Sequence, residues 1–215
     1  MIKQTFLLLI CFLTLLSCKD KNNDWYSANT ICDCYTQSEF VGFDKTLNGC
    51  LEKFNSLLKQ KKEEAENEDL ENFDKNHLME LSKRLIKTCS KYQKDFNNVL
   101  LGRYSNRNKE NLEQRKDSLL TVIVSVDNKA GRYIILSELE ILGGDYDKAL
   151  ESINTSIKMN PNMEMSYFVK GFLNHRKGDF TNAISDIKTL HNITINPDLR
   201  TLASLWILNL EQEIK

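Results

Sequence analysis

The chain has 215 residues, of which only two are proline, eight glycine and six cysteine. That length can bury one substantial core or two small ones. So little proline and glycine excludes a turn-rich sandwich or barrel and a low-complexity chain, leaving an all-α protein as the expectation. With 29 Lys and Arg against 30 Asp and Glu, the formal net charge is −1, and no whole-chain field points to a nucleic acid.

At the amino terminus, Lys3 precedes an apolar run from Phe6 to Leu16 interrupted by Thr14. The run is too short to span a bilayer and has the layout of a secretory signal. It ends in Leu15, Leu16, Ser17 and Cys18, which resembles the lipobox of bacterial lipoproteins. The resemblance implies cleavage after residue 17 and acylation of Cys18. Lipidation at one residue by several acyl chains anchors a protein stably without spanning the membrane. Lys19 stands where enteric lipoproteins retained at the inner membrane carry Asp, so the resemblance implies a bacterial envelope protein, lipid-anchored at the outer membrane. Residues 18–24 are polar and unpatterned and read as a tether.

Cys11 lies in the signal and Cys18 in the anchor, so Cys32, Cys34, Cys50 and Cys89 remain. An even number outside the cytosol points to disulfides. Four cysteines allow three pairings, and a bond between the near neighbours Cys32 and Cys34 is geometrically disfavoured, so each is expected to reach a different helix. A tetrahedral metal site is the alternative, although the Cys-x-x-Cys spacing typical of one is absent.

Apolar residues recur every three or four positions at Phe43, Leu47, Cys50, Leu51, Phe54, Leu57 and Leu58, predicting a helix from about Asp44 to Glu64. Leu78, Leu81, Leu85, Cys89, Tyr92, Phe96 and Val99 predict another from about Lys75 to Leu101. Glu63 to Asn76, acidic and amide-rich, reads as their solvated connection. Cys50 and Cys89 lie on the two stripes, so residues 25–104 are expected to form a helical hairpin stapled by cysteines. From Leu112 to Val126 the apolar pattern predicts a helix, although the β-branched run Thr121 to Val124 also suits a strand.

Residues 105–215 contain a repeat. Gly144, Asp145, Tyr146, Asp147, Lys148, Ala149 and Leu150 return as Gly178, Asp179, Phe180, Thr181, Asn182, Ala183 and Ile184 at an interval of 34 residues. Tyr133 and Tyr167, and Ile153 and Ile187, keep the same interval. Period and residue types resemble the tetratricopeptide repeat, two antiparallel helices joined by a tight turn. The best units are 130–163 and 164–197, each closed by a proline, Pro161 or Pro197. Ser137 and Glu140 depart from the family's usual Gly and Tyr; in the second unit Gly171 is kept, while Lys170 and Leu190 depart. Leu199 to Ile214 reads as a capping helix, within residues 198–215.

The whole is expected to be all-α: a cysteine-stapled amino-terminal hairpin followed by a short tetratricopeptide-type α-solenoid with a carboxy-terminal cap. His77, His175 and His191 have no metal-ligand spacing, and no nucleophile, phosphate-loop or dinucleotide motif occurs. The expectation is a non-catalytic module without cofactor or metal that binds a protein or peptide partner, not nucleic acid. The family's concave groove maps onto Ile134, Glu138 and Ile141, then Met165, Phe168, Phe172, His175 and Arg176; alternatively the two phenylalanines pack against the closing helix. A second reading makes the stapled hairpin the functional part and the repeats a scaffold within an envelope complex.

Overall fold

The computed structural model describes residues 28–39, 41–42, 45–53, 75–105, 107–123 and 129–215, with the side chains of its helix at Lys75 described from Met79 onward. The signal, Cys18, the tether, and the proposed helix and connection across residues 54–74 lie outside the described residues, as does the stretch 124–128. Among the described residues all regular structure is helical. These helices are α1 (Ala28–Gln37), α2 (45–53), α3 (Lys75–Thr88), α4 (Ser90–Leu101), a 3-10 turn (Gly102–Tyr104), α5 (Leu112–Ile123), α6 (Lys129–Gly143), α7 (Tyr146–Met159), α8 (Glu164–Arg176), α9 (Phe180–Ile193) and α10 (Pro197–Glu213). The β-branched run through Ile123 is therefore helix, held there by packing of α5 on α6.

Two disulfides organise the amino-terminal region. Cys32 bonds Cys89 and Cys34 bonds Cys50, with Cα separations of 5.5 and 5.8 Å. Both begin on α1, and, as expected, Cys32 and Cys34 reach different segments: Cys32 the junction of α3 and α4 at Cys89, Cys34 the helix α2. α1 was not legible as a helix, having apolar anchors only at Ile31 and Tyr35, one turn apart and both fully buried. Tyr35 meets Tyr92 edge to face at 5.3 Å. Pairing all four thiols excludes the metal alternative for these cysteines.

The single helix expected from Lys75 to Leu101 is two helices. Cys89 between them has extended geometry (φ −117°, ψ 97°). Its amide still donates to the Leu85 carbonyl at 2.8 Å and its carbonyl accepts from the Gln93 amide at 3.0 Å. Neither proline nor glycine marks the break; the residue that leaves helical geometry is the one bonded to α1. Burial of Leu85, Ile86, Tyr92 and Phe96 continues across it, so the apolar stripe gives no sign of the change.

The repeats are two helix-turn-helix units, α6 with α7 and α8 with α9, stacked between α5 and the closing α10. Gly144 (φ 87°) and Gly178 (φ 77°) make the left-handed turn inside each unit. In the second unit Asp179 accepts from the Asn182 amide at 3.1 Å, capping α9. In the first, Asp145 makes no cap bond and instead lies 3.7 Å from the Lys116 ammonium of α5. Pro197 starts α10 behind the Asn196 side chain, which accepts from the Asp198 and Leu199 amides. Pro161 sits in the turn ahead of α8, which begins three residues later.

Two departures from the repeat pattern, Ser137 and Lys170, have polar partners, whereas Glu140 keeps one buried carboxylate oxygen without a hydrogen bond. A Cβ on Gly171 would come within 2.8 Å of Ile187 Cγ1, so α8 and α9 approach there closely. At the corresponding place Ser137 is fully buried and donates to the Ala149 carbonyl at 2.9 Å. Lys170 lies 3.1 Å from Asp186, which also accepts from Asn174 at 2.7 Å. Ser152 and Glu140 occupy the same rung one repeat earlier. There burial raises the Glu140 carboxyl above the usual range, opposed by the Ser152 hydroxyl and the Lys116 charge.

Candidate functional site

The first helices of the two units, α6 and α8, carry the residues mapped to a concave groove. Ile134 and Ile141 are buried. Glu138 accepts from the Tyr104 hydroxyl at 3.0 Å and faces the Arg107 guanidinium at 3.3 Å. Proximity to that carboxylate and burial both raise the Tyr104 phenol above its ordinary value, burial being the larger cause. Phe172, 2% exposed, packs edge to face on Tyr104 with centroids 4.8 Å apart. Phe168, 3% exposed, packs on Trp206 of α10 at 5.3 Å. The Arg103 guanidinium stacks 4.6 Å from the Phe168 centroid.

His175 is buried and its Nδ1 accepts from the Trp206 indole at 3.0 Å. Burial lowers its pKa from 6.5 to about 4, so the ring is neutral at physiological pH. Met165 is half-buried against the core, and Arg176 is exposed. The eight residues mapped to a partner groove thus separate. Glu138, Phe168 and Phe172 are brought together, but they receive this chain's own 3-10 turn at residues 102–104 and its closing helix. The phenylalanine nearest α10, Phe168, follows the core alternative. Phe172 is covered from the amino-terminal side, a contact with no local sequence signal because Tyr104 lies 68 positions away.

α3 and α4 extend this seating: α3 packs on α10 and α4 on α8. Asn97 of α4 donates to Glu213 at 2.8 Å and accepts from the amide of Asn209, a fully buried residue of α10. The stapled region and the repeats therefore share one core.

An open concavity lies elsewhere, at the amino-terminal edge of the solenoid. A trough of about 520 Å³ runs between α5 and α6 over Leu119, Val122, Ile135 and Leu139, flanked by Arg115 and Arg132. It continues into a recess of about 250 Å³ bounded by Arg107, Asn108, Glu138 and Leu142. Val122 and Ile135 are 40% and 43% exposed and lie in the same trough, so they form a shared apolar patch and are not scattered singly. Sequence reasoning missed this face. The available signal was the consecutive run Ile134, Ile135, Leu136, which cannot all point to one side of a helix.

Among the described residues, no group of three or more His, Cys, Asp or Glu is placed to hold a metal, and no helix is long and apolar enough to cross a membrane. No family model matches the chain and no curated protein matches it. Among solved structures it is similar to PcrH from Pseudomonas aeruginosa, with 17% identity and a TM-score of 0.42 over 69% of this chain and 100% of that one. Likeness at that level says nothing of function, so the functional reading rests on this chain's own residues.

Proposed function

We propose that this protein is a lipid-anchored, non-catalytic protein-interaction module of the bacterial cell envelope, at the outer membrane. The observation that carries the interaction reading is the open apolar trough on a solenoid whose concave face is filled by its own chain. Exposed apolar concavities with a polar rim are characteristic of surfaces that receive another protein. The resemblance of Leu15 to Cys18 to a lipobox supports the anchor, and two disulfides support an oxidising compartment.

Two experiments test the two parts. Mass spectrometry of the protein purified from membranes is expected to find an acylated amino terminus at Cys18, and Cys18→Ala to release the chain from the membrane fraction. A photo-crosslinking residue placed at Ile135 of the full chain is expected to give discrete protein adducts in intact envelopes. Adducts absent there, at Arg176 and at other exposed positions would remove the interaction reading.

A further inference from the structure

We infer that the trough between α5 and α6 receives an acidic amphipathic helix of a partner protein. This deepens the proposed interaction function and rests on it.

The shape of the trough selects a helix. From α5 it takes Arg115, Ser118, Leu119 and Val122, and from α6 Arg132, Ile135 and Leu139. Each set recurs at three-, four- and seven-residue spacing, so each is one face of its helix. Two helical faces flanking an apolar floor reproduce the seat that a neighbouring helix fills in a stacked-repeat array. The part of α5 that lines the trough runs from Gln114 to Val122, about 13 Å, enough for about two turns of an incoming helix.

The charge of the rim selects its sign. Arg107, Arg115 and Arg132 flank the trough and its recess, against one carboxylate, Glu138, which already serves Arg107 and Tyr104. Arg115 donates to the Asn108 carbonyl at 3.1 Å, which orients it without neutralising it. The guanidinium groups at opposite walls fit glutamates on both flanks of an apolar stripe, since arginine pairs with carboxylates bidentately and covers apolar surface with its stem. A basic helix meets like charge on both walls.

The test uses the full chain in detergent with two fluorescent synthetic helices of about 16 residues. Both carry leucines along one stripe; one has glutamates on its flanks and the other lysines. The expected result is saturable anisotropy for the glutamate helix alone, weakened several-fold between roughly 0.05 and 0.5 M salt. Arg115→Gln with Arg132→Gln should reduce affinity about tenfold with an unchanged melting transition. Ile135→Ser, which removes floor and leaves the rim, gives an independent loss should the arginine variant melt early. Equal binding of both helices, unaltered binding by all these variants, or a concentration-dependent dimer that closes the trough to the probe would overturn the inference. If crosslinks form from Arg176 but neither the probe nor Ile135 captures anything, the trough fails while the interaction function stands.

Discussion

The amino-terminal region and the repeats solve the same problem, enclosing short helices, by different means. In the repeats each helix finds its neighbour next in sequence, and a 34-residue period sets glycines at the turns and small residues at the crossings. In the amino-terminal region the ten-residue α1 buries two large side chains and is cross-linked at two further positions. A helix that short is marginal alone. Covalent closure supplies there what periodic stacking supplies elsewhere.

The largest expected effect breaks this contrast if it fails. Cys32→Ser with Cys89→Ser opens a closure spanning 57 positions and should cost about 4 kcal/mol in urea denaturation, whereas Cys34→Ser with Cys50→Ser opens one of 16 and should cost about 3 kcal/mol. Losses under about 1 kcal/mol for both would mean that packing alone holds α1.

Acid should probe the repeat side next. The unfolded chain protonates His175 near 6.5, while the folded ring does so only near about 4. Between these values the unfolded state binds more protons, so stability present above pH 6.5 is lost as pH falls toward 4, by up to about 3 kcal/mol. Burial raises the Glu140 and Asp186 carboxyls; their contribution has the opposite sign, the folded state gaining as they protonate. Subtracting the profile of His175→Gln isolates the histidine. A difference profile flat from pH 7 to 4, followed by Trp206 fluorescence, would contradict a neutral buried ring.

How far these features were legible depended on whether their cause was local. Gly144, Gly178 and the fixed interval announced the two units because turn geometry and helix crossing act within a few residues. The break at Cys89, the helix at Ala28–Gln37 and the filling of the concave face depend on partners tens of residues distant. Phe168 and Phe172 illustrate the limit. Their spacing showed that they share a face, but that face receives Trp206 and Tyr104, and helical periodicity cannot distinguish own-chain cover from a partner. Ile135 shows the converse, an apolar side chain whose position in a rich apolar run hid that nothing in the described residues covers it fully.

A paired substitution sharpens the account of the repeats. Gly171→Ala places a Cβ against buried Ile187 and should cost about 2 kcal/mol by overpacking. At the corresponding place in the first unit, Ser137→Gly removes a buried hydrogen bond and adds backbone entropy, costing about 1–2 kcal/mol. Opposite changes at equivalent positions should therefore both destabilise, which thermal melting can read. A neutral Gly171→Ala would show that the close approach of α8 and α9 is not a constraint.

The smallest effect concerns the seam, where the two modes of construction meet. Asn97→Ala removes the acceptor for the Asn209 amide and the donor to Glu213, for an expected cost of about 1 kcal/mol. The Glu213 contact is exposed and contributes little, so the cost should come from stranding the Asn209 amide on a fully buried residue. Glu213→Ala should then be nearly silent, and the double variant should match Asn97→Ala alone. If the stapled region instead docks loosely on the solenoid, water can reach Asn209 and all three variants should melt like wild type. Separate melting transitions for the two regions would make the same point, whereas one cooperative transition follows from a shared core.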